Sequence, residues 1–499
     1  MMDKRIVRSI DDLRKSGLLT DIGGDWSKIP ADCSLKNDSR SVKPGDIFAC
    51  VKGLHFDGHD FIDDVLSKGA ACLVVQRPVR GLPIPWIEVK DVRAAMGYIA
   101  AALYGEPAEK LKMIGVTGTQ GKSTTSYIVR SILSAAGMKC GLLGTVVYDD
   151  GKTASLADRT TPESAEVQEY LKSMVENGCA ACSMECSSHG IYQGRLSGCK
   201  FDGAVFTNLT PEHLDFHGTM ENYFSAKAGL FREYMKPGAA VAPNMASEYG
   251  RRLAEEFPDA FGWGLDVPAR VQGKNAVLSP DGGAFDICLD GRPIGRAEIP
   301  LSGRYNIENA LGAAAVCLAC GVDEKSVLRG LAGMPQVPGR MERLCLENGV
   351  RVLIDYAHTA DSLKTLLATL RPIARRRLIS LFGHGGDRFA GHRPLLGRAA
   401  AEYADRIYVT MDNPRTEDPM KIADEIVSGI KQLRSDGWTV EMPRGAAIEK
   451  ALDECESGDL LVISGKGPEP YLEIKGVKYP YSDRGAVEEW ARKKGLAVS

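Results

Sequence analysis

The sequence carries little excess charge of either sign. Its 499 residues include 62 Lys and Arg and 65 Asp and Glu, which gives a formal net charge of -3 at pH 7. A protein that binds nucleic acid or an anionic membrane surface is usually strongly basic. The charge balance therefore indicates neither partner. The composition, 44% hydrophobic and 25% charged, is typical of globular proteins.

Long hydrophobic runs are also missing. The most apolar stretches, residues 94–105 and 310–320, are shorter than the roughly 20 residues that span a bilayer, and we expect both to form buried helices. The chain starts with MMDKRIVRSIDDLRKSG, a polar and amphipathic stretch without the apolar centre of an export signal. The sequence therefore predicts a cytoplasmic protein without membrane insertion.

Cysteine is neither abundant nor arranged as in a zinc finger. The chain has 13 cysteines, an odd number, and two Cys-x-x-Cys pairs, Cys179 with Cys182 and Cys317 with Cys320. Neither pair is followed by a second pair at zinc-finger spacing, and each lies in an apolar run. We therefore expect reduced thiols packed in the core, without metal or redox roles.

Internal repeats and low-complexity tracts are absent, and the length predicts roughly two to four domains. Two stretches have the composition of linkers: YGEPAEKLK, and AGMPQVPGRMER at residues 332–343. We predict three domains, at residues 1–107, 108–336 and 337–499. Strands alternate with helices in the second and third of these, which predicts an α/β fold with mainly parallel sheets covered by helices.

A glycine-rich turn joins an apolar strand, KMIGV, to a stretch with helical periodicity, TTSYIVRSILSAAG. The turn reads TGTQGKS, an arrangement that directs backbone N–H groups and a helix N-terminus at phosphate. It departs from the common G-x-x-x-x-G-K-[ST] pattern, because Val116 stands where that pattern needs glycine. We predict a phosphate-binding loop in which Lys122 contacts the outer phosphates and the Ser123 hydroxyl binds Mg²⁺.

Two later strands deliver further polar side chains. The strand in CAACSMECSSHG ends at Glu185, and a carboxylate beside a phosphate loop can hold Mg²⁺. After the next strand, His213 and His217 lie four residues apart, but the glutamate of the H-E-x-x-H motif and a third ligand are missing, which argues against a zinc protease. Judged by its surroundings in the sequence alone, Lys227 is an ordinary solvated lysine on a helix.

Four turns after strands of the third segment carry charged or amide side chains. The residues singled out in these turns are Asp355, His358, Arg388, Asp412, Asn413, Arg415, Gly465, Lys466 and Glu469. Ligands of open α/β sheets bind beyond the carboxyl ends of the strands, where these turns lie. Arginine binds a carboxylate in bidentate fashion, and Asp or Glu accepts from an ammonium group. The turns therefore predict a site for a zwitterionic ligand.

Several of these segments, taken in order, resemble the Mur ligase family. The matching stretches are TGTQGKST, TTPES, MECSSHG, FTNLTPEHLDFHG, SGRYNIENALGA, PGRME, DYAHTADSL, GHGGDR, DNPRTEDP and SGKG. The N-terminal stretch DSRSVKPGDIFACVKGLHFDGHDFI is similar to the UDP-sugar-binding segment of the same family. The likeness covers nearly the whole chain. Within the family, it is strongest to the members that add the third residue of the peptidoglycan stem peptide.

The resemblance implies a fold of three α/β domains. These are a small N-terminal UDP-binding domain, a central P-loop-type ATPase domain with a mainly parallel sheet, and a Rossmann-like C-terminal domain that brings the amino acid. The implied reaction is an ADP-forming amide ligation in peptidoglycan synthesis. It adds meso-diaminopimelate to the D-Glu side-chain carboxylate of UDP-MurNAc-L-Ala-D-Glu through an acyl phosphate. Implied partners are these substrates and ATP, with Mg²⁺ as cofactor, and we expect a monomer.

The family motifs also imply residue roles at matching positions. Lys122, Glu185, His213 and Lys227 match catalytic positions. The metal ligands would come from Ser123, Glu185, His213 and Lys227, and the lysine at position 227 is carbamylated in the family, which overrides its interpretation as a solvated lysine. The ATP-binding positions are Gly118, Thr119, Gln120, Gly121, Lys122, Ser123, Thr124, Asn309, Arg340 and Asp355. Those that hold UDP-MurNAc-dipeptide are Ser39, Thr160, Thr161, Ser187, Gln193 and Arg195.

The DNPR stretch favours meso-diaminopimelate as the added amino acid. Its arginine, Arg415, can hold the second carboxylate, which lysine lacks, and a site left with an unpaired arginine should reject lysine. The implied amino-acid-binding residues are Arg388, Asp412, Asn413, Pro414, Arg415, Gly465 and Glu469. Gln120, Ala360 and Pro468 depart from the family's usual residues, and Pro468 could shift the loop that carries Glu469.

Other functions stay open from the sequence. A lysine-adding ligase of the same family and a folylpolyglutamate-synthetase-like ligase would share the fold and the ATP loop. A P-loop kinase or a regulatory ATPase would bind nucleotide without forming an amide, and a nucleotide-binding scaffold would not react at all. The DNPR stretch argues against the first two, and Glu185 with Lys227 argues against the scaffold.

Overall fold

Helices and short strands alternate along the chain in the computed structural model, which describes residues 3–30, 32–53, 56–79, 81–279 and 281–499. The chain forms two compact units. The first comprises residues up to Lys274 with Asp286–Ala297 and Glu308–Gly333, and the second comprises Asn275–Phe285, Glu298–Ile307 and Met334–Ser499. The first and second predicted domains thus share the first unit almost entirely, and the division into three domains stays a prediction.

The N-terminal part contains a five-stranded sheet. Its strands are β1 (Leu19–Gly23), β2 (Leu35–Lys36), β3 (Ile47–Ala49), β4 (Cys72–Val75) and β5 (Trp86–Val89), in the order β1-β5-β4-β3-β2. Its helices are α1 (Lys4–Lys15), α2 (Ile62–Ser67) and α3 (Val92–Leu103). Most of α3 is buried, as its apolar sequence predicts. Leu54 and His55, within the segment similar to a UDP-sugar-binding segment, lie outside the described residues.

A seven-stranded sheet follows. Its strands are β6 (Lys112–Thr117), β7 (Cys140–Leu143), β8 (Val147–Asp149), β9 (Ala154–Leu156), β10 (Ala181–Glu185), β11 (Phe201–Phe206) and β12 (Met235–Pro243). The order is β12-β11-β6-β10-β7-β8-β9, and only β8 and β9 run antiparallel to their neighbours. Since β6 pairs in parallel with both β10 and β11, the turns after these three strands meet at one edge of the sheet.

Six helices belong to this part of the chain. They are α4 (Lys122–Ala135), α5 (Ser164–Glu176), α6 (Ser188–Tyr192), α7 (Leu214–His217), α8 (Met220–Glu233) and α9 (Glu248–Glu256). The position of α4 directly after the glycine turn is the one that its periodicity predicts. Its packed face is apolar, with Ile128, Val129 and Ile132 fully buried. Burial of this face fixes the direction in which the N-terminus of α4 points.

The chain then adds a four-stranded sheet that the sequence did not predict. It consists of β13 (Trp263–Leu265), β14 (Val271–Ser279), β15 (Gly282–Leu289) and β16 (Arg292–Ile299), in that order. Many residues of β14 and β16 are exposed and polar, so their periodicity is weak. Two helices follow, α10 (Arg304–Ala319) and α11 (Glu324–Ala332). The apolar run at residues 310–320, for which the sequence predicts a buried helix, lies almost entirely in α10. Within it, Ala313, Ala314 and Val316 are fully buried.

The C-terminal sheet has six strands. They are β17 (Glu342–Cys345), β18 (Arg351–Asp355), β19 (Leu378–Phe382), β20 (Arg406–Val409), β21 (Trp438–Val440) and β22 (Leu460–Ser464), in the order β17-β18-β22-β19-β20-β21. All neighbours except β17 and β18 are parallel. The predicted α/β class with mainly parallel sheets is therefore confirmed.

Five helices and a hairpin complete this sheet. The helices are α12 (Ala360–Leu370), α13 (His392–Tyr403), α14 (Pro419–Ile430), α15 (Arg444–Glu454) and α16 (Asp483–Lys494), and the hairpin consists of β23 (Tyr471–Ile474) and β24 (Val477–Pro480). The turns after β18, β19, β20 and β22 all leave the same edge of the sheet, because these strands are parallel. The candidate amino-acid site lies in those turns.

All 13 cysteines are free thiols, and ten of them are buried. Burial raises the pKa of Cys182 and of Cys317 well above the ordinary value, so both stay protonated and pack as small apolar side chains. The burial of these ten agrees with the expected core packing, and their redox state stays a prediction. In the part of the chain that the structure describes, no helix has the length and apolar character needed to cross a bilayer.

Candidate active site

The glycine turn after β6 carries the backbone geometry of an anion-binding loop. Gly118 has a φ of 143°, and Gly121 caps α4 at a φ of 82°. The first four N–H groups of a helix have no partner within it, so the start of α4 directs them at the space above the turn. Two N–H groups within the loop are used internally, because Thr119 donates to Asn208 O (2.9 Å) and Gln120 donates to Asn208 Oδ1 (3.0 Å).

Both glycines are required by close contacts as well as by φ. A Cβ on Gly118 would lie 1.9 Å from Thr207 Oγ1, and one on Gly121 would lie 2.2 Å from Asn309 Oδ1. Asn309, predicted from the family motif to contact the nucleotide, is thus brought directly beside the loop. The unusual Gln120 uses mainly its backbone here, since its carbonyl accepts from Thr207 Oγ1 at 2.7 Å.

Replacing Gly121 with alanine should raise the Kd for a non-hydrolysable ATP analogue at least tenfold. The added Cβ meets Asn309 and distorts the loop at the start of α4. Gly137→Ala is a matched control, because Gly137 follows the other end of α4 with the same φ of 82° and no atom within 4 Å of its Cβ position. Titration calorimetry should show analogue affinity within twofold of wild type for the control, and equal losses in both variants would contradict the prediction.

Lys122 bends back over the loop. Its ammonium donates to Gly118 O (3.0 Å) and to Thr119 O (2.8 Å), so its positive charge lies against the turn where phosphate oxygens would bind. Thr119 in turn contacts the hydroxyl of Tyr223 on α8 at 3.2 Å. The contact of Lys122 with the outer phosphates stays a prediction.

Glu185 is buried at the end of β10, with an exposed fraction of 1%. Its carboxylate accepts from Ser123 Oγ (3.2 Å), from Thr145 N (2.8 Å) and from Thr145 Oγ1 (3.1 Å). These donors are all neutral, and no described cationic side chain forms an ion pair with Glu185. A buried carboxylate without a cationic partner, next to a hydroxyl oxygen, fits a hard divalent cation. Thr145 lies in a turn without a motif, so the sequence does not mark it as a site residue.

Lys227 is buried on α8 with an exposed fraction of 1%. Its ammonium donates to Gly118 O at 2.7 Å and lies 4.5 Å from the ring centre of Tyr223. Burial, with a smaller contribution from Lys122, lowers the pKa of Lys227 well below its ordinary value. The interpretation of Lys227 as a solvated lysine, drawn from the residues alone, is therefore wrong. In its protonated form this side chain has no lone pair to offer a metal ion.

Three histidines pack together near the start of α6 and α7. The ring centres of His189 and His213 are 4.9 Å apart, and those of His189 and His217 are 5.5 Å apart. His217 is buried and its Nε2 lies 3.0 Å from Ser188 Oγ, whereas the His213 side chain is 47% exposed. Among the described residues, no three His, Cys, Asp or Glu side chains form a group that could hold a metal ion.

The predicted substrate-binding residues Thr160, Thr161 and Ser187 adjoin Glu185. Thr160 contacts Thr145 (Oγ1 to Oγ1, 3.0 Å), while Thr161 Oγ1 donates to Glu185 O at 2.9 Å and lies 3.0 Å from Ser187 Oγ. The metal-binding and substrate-binding predictions therefore meet in one hydrogen-bonded network.

Two further predicted residues extend this network, and one lies outside it. Arg195 donates to Thr161 O (2.9 Å) and to Gln193 Oε1 (2.7 Å). Ser39 starts a 3₁₀ turn, and its carbonyl accepts from Lys68 at 2.9 Å. No hydrogen bond of the described chain joins Ser39 to the other predicted residues.

Arg340 and Asp355 belong to the second unit. Burial raises the pKa of Asp355, whose carboxylate accepts from Met341 N and Ala357 N. Arg340 lies 5.0 Å from the ring centre of Tyr356, and its Nε is buried without a hydrogen-bond partner. A buried donor without a partner is costly, and a ligand oxygen would satisfy it.

The turns after β19 and β20 bring two arginines together. Arg415 has a φ of 50° and donates to Gly386 O at 2.6 Å. A Cβ on Gly385 would lie 3.2 Å from the Arg415 guanidinium and 3.7 Å from the Arg388 side chain, so the two arginines flank this glycine. Gly386 allows the two turns to touch, since its Cβ would lie 1.9 Å from Pro414 O. Arg388, which lies in the turn after β19, is exposed.

The turns after β20 and β22 supply carboxylates and an amide beside them. Asp412 and Asn413 are buried, and a Cβ on Gly465 would lie 2.6 Å from Asp412 Oδ2. Glu469 accepts from Asn413 Nδ2 at 2.8 Å. Pro468 packs against Gly339, where a Cβ would lie 2.3 Å from the Pro468 nitrogen, and Glu469 still reaches Asn413. The Glu473 carboxylate, which no sequence motif marks, lies 3.5 Å from Arg415 Nε.

Comparisons with known proteins agree on one family. Three protein-family models match: Mur ligase family, catalytic domain (residues 34–104), Mur ligase middle domain (116–317) and Mur ligase, glutamate ligase domain (339–467). The chain is 41% identical over 489 residues to UDP-N-acetylmuramoyl-L-alanyl-D-glutamate--2,6-diaminopimelate ligase of Gloeobacter violaceus, covering 97% of this chain and 99% of the relative.

Two solved structures extend the comparison. A UDP-N-acetylmuramoyl-L-alanyl-D-glutamate--2,6-diaminopimelate ligase matches with a TM-score of 0.69 and 29% identity, covering 95% of this chain and 98% of that chain. The MurF ligase of Thermotoga maritima in complex with ADP shares the fold, with a TM-score of 0.63 and 18% identity, over 93% of this chain and 98% of that chain.

Proposed function

The chain belongs to the Mur ligase family, and from this premise we propose that it joins meso-diaminopimelate to UDP-MurNAc-L-Ala-D-Glu at the expense of ATP. The product is the tripeptide precursor of peptidoglycan, with ADP and phosphate released. The observation that carries the choice of amino acid is the paired arrangement in the second unit. There, Arg388 and Arg415 flank Gly385, and the turn of Asp412 and Asn413 bonds to Glu469.

The first step transfers a phosphoryl group. An oxygen of the D-Glu side-chain carboxylate attacks the γ-phosphorus of ATP, the bond to the ADP oxygen breaks, and an acyl phosphate forms. The N-terminus of α4 and the Lys122 ammonium oppose the negative charge that accumulates on the phosphate oxygens. We assign Gly118, Thr119, Gln120, Gly121, Ser123 and Thr124 to the phosphate groups, and Asn309, Arg340 and Asp355 to the rest of the nucleotide.

The second step forms the amide. The amine of the incoming amino acid attacks the carbonyl carbon of the acyl phosphate, loses a proton, and expels phosphate as the carbon–oxygen bond breaks. Arg388 and Arg415 hold carboxylates of the amino acid, while Asp412 and Glu469 accept from an ammonium group. Asn413, Pro414 and Gly465 complete the turns that carry these groups.

Mg²⁺ would be held by Ser123 and Glu185, with His213 and carbamylated Lys227 as further ligands. When bound, it would neutralise phosphate charge and orient the transferred group. The burial of the Lys227 amine supports its assignment as a carbamylated metal ligand. Burial lowers its pKa and so favours the uncharged amine, the form that can add CO₂ and become a carboxylate-like ligand.

The sugar nucleotide is assigned to Ser39, Thr160, Thr161, Ser187, Gln193 and Arg195. Thr160, Thr161 and Ser187 lie within one hydrogen-bonded network with Glu185. A substrate held there would have its reactive carboxylate close to the residues assigned to metal and phosphate. We further assign residues 1–107 to the UDP end, 108–336 to ATP, and 337–499 to the amino acid.

Amine-dependent phosphate release tests the proposal. Purified protein with ATP, Mg²⁺ and UDP-MurNAc-L-Ala-D-Glu should release phosphate with meso-diaminopimelate, and mass spectrometry should detect the tripeptide product. We expect kcat/KM for meso-diaminopimelate to exceed that for L-lysine at least a hundredfold. Release with lysine alone would contradict the specificity, and release that is independent of any amine would favour an ATPase.

A further inference from the structure

Lys466 is a completely buried cation in the turn after β22, and none of the roles proposed above uses it. Its side chain has an exposed fraction of 0%. The ammonium lies 3.0 Å from Glu469 Oε2, 3.1 Å from Asn413 Oδ1 and 4.0 Å from Asp412 Oδ1. A buried ammonium is tolerated only when it is paired and hydrogen-bonded. Here all three partners belong to the proposed amino-acid site.

Lys466 and the Glu473 N–H together hold the Asn413 amide in one orientation. Asn413 Oδ1 accepts from Lys466 Nζ and also from Glu473 N at 2.9 Å. With its oxygen between two donors, the amide must turn its Nδ2 the other way, where it donates to Glu469 Oε2 at 2.8 Å. The orientation of Asn413 therefore depends on the lysine behind it.

Lys466 also fixes the Glu469 carboxylate. Oε2 of Glu469 is shared between Lys466 and Asn413, and Oε1 lies 3.4 Å from the Tyr356 hydroxyl. The Glu469 side chain is 22% exposed, so a ligand can reach it from the open side. Together, Asp412 and Glu469 carry two negative charges against one positive charge on Lys466. The surplus negative charge suits the ammonium group of an amino acid.

We propose that Lys466 is a positioning residue for the amino-acid substrate, which holds Asn413 and Glu469 in the orientation that receives one zwitterionic end of the diamino acid. The inference rests on the proposed function, because it assigns Lys466 to the site for that substrate. Lys466 acts through its two neighbours and does not touch the reacting atoms. Its loss should therefore weaken amino-acid binding rather than phosphoryl transfer.

The variant Lys466→Gln tests this division. We expect KM for meso-diaminopimelate to rise at least tenfold, with KM for ATP and for UDP-MurNAc-L-Ala-D-Glu within twofold of wild type and kcat within threefold. Asp459→Asn is the matched control. Asp459 is also completely buried and pairs with Arg376 and Arg377, but it precedes the opposite end of β22. It should lower the melting temperature and leave all three KM values unchanged.

A second comparison uses the double variant Lys466→Gln/Glu469→Gln. This variant removes both charges of the Lys466–Glu469 pair, so that neither is left buried without its partner. Adding Lys466→Gln to Glu469→Gln should raise KM for meso-diaminopimelate less than threefold over Glu469→Gln alone, because Asn413 keeps its bond to Glu473 N in both. If Lys466→Gln alone does not fold, this comparison still tests whether Lys466 acts on amino-acid binding through Glu469.

Three results would overturn the role of Lys466. They are an unchanged KM for meso-diaminopimelate in Lys466→Gln, an equal rise in KM for all three substrates, or an undiminished effect in the Glu469→Gln background. Failure of the proposed function looks different, because the wild-type protein itself would then not use meso-diaminopimelate.

Discussion

Replacing Lys227 with methionine is expected to lower kcat at least a hundredfold without lowering the stability of the fold. The ammonium is buried beside Gly118 O, and methionine fills a similar volume without a charge to desolvate. The variant cannot form the carbamate that we assign to the metal site, so added bicarbonate should not rescue it. Phosphate release measures kcat, and denaturant unfolding measures stability.

The pH dependence of stability gives an independent check on Lys227. Its pKa is lowered on folding from an ordinary 10.5, so between the lowered pKa and 10.5 the unfolded chain binds more protons than the folded chain. Stability therefore rises with pH across that window through this group. The methionine variant lacks this contribution. Its advantage over the unmodified wild-type protein should shrink as the pH rises towards 10.5.

Lys236→Met is the control for the Lys227 variant. Lys236 lies on β12 of the same unit and pairs with Asp202 at 2.8 Å, with both side chains partly exposed. Its replacement should leave kcat within twofold of wild type. A wild-type kcat in Lys227→Met would show that the carbamate assignment is wrong. Carbon-13 NMR with labelled bicarbonate should also detect the carbamate in wild-type protein and not in the variant.

The second large effect is expected for Arg415→Ala. Arg415 is partly exposed, and losing one partner of a hydrogen-bonded charge pair that the bound amino acid would bury costs about 2–5 kcal/mol. We therefore expect kcat/KM for meso-diaminopimelate to fall on the order of 10²–10³-fold. The preference over lysine should fall by a similar factor, because lysine lacks the carboxylate that Arg415 is assigned to hold. Competition between the two amino acids, followed by mass spectrometry of the products, measures this preference directly.

Arg398→Ala provides the control for Arg415. Arg398 lies on α13 in the same unit and is exposed. Neither the preference nor kcat/KM should change by more than twofold in this variant. If Arg415→Ala keeps the wild-type preference for meso-diaminopimelate, then Arg388 or another group selects the amino acid, and the role given to Arg415 is wrong.

The phosphate loop could be predicted because its signals are local. An apolar strand, glycines at positions of positive φ and a periodic helix stand next to each other in the sequence, and the structure has them as β6, the turn and α4. The α/β class could be predicted in the same way, because segments with strand periodicity alternate with segments of helical periodicity along the chain. The sheet of β13–β16 was missed because its polar, exposed strands have no clear period.

The residues missed in the candidate site depend on contacts distant in sequence. Thr145 reaches Glu185 across 40 positions and Glu473 reaches Asn413 across 60, and neither lies in a motif that marks it. Lys227 was misinterpreted from the sequence for the same reason, because its burial depends on contacts distant in sequence. Its helix has an ordinary amphipathic sequence, and only tertiary packing buries its amine beside the loop.

The central claim is that ATP activates the D-Glu side-chain carboxylate as an acyl phosphate, which an amine then captures. The most direct test labels that carboxylate with ¹⁸O and analyses the phosphate released during ligation with meso-diaminopimelate. We expect one labelled oxygen to pass from the carboxylate to each phosphate, because the carbon–oxygen bond breaks when the amide forms. Amide formation with unlabelled phosphate would contradict it.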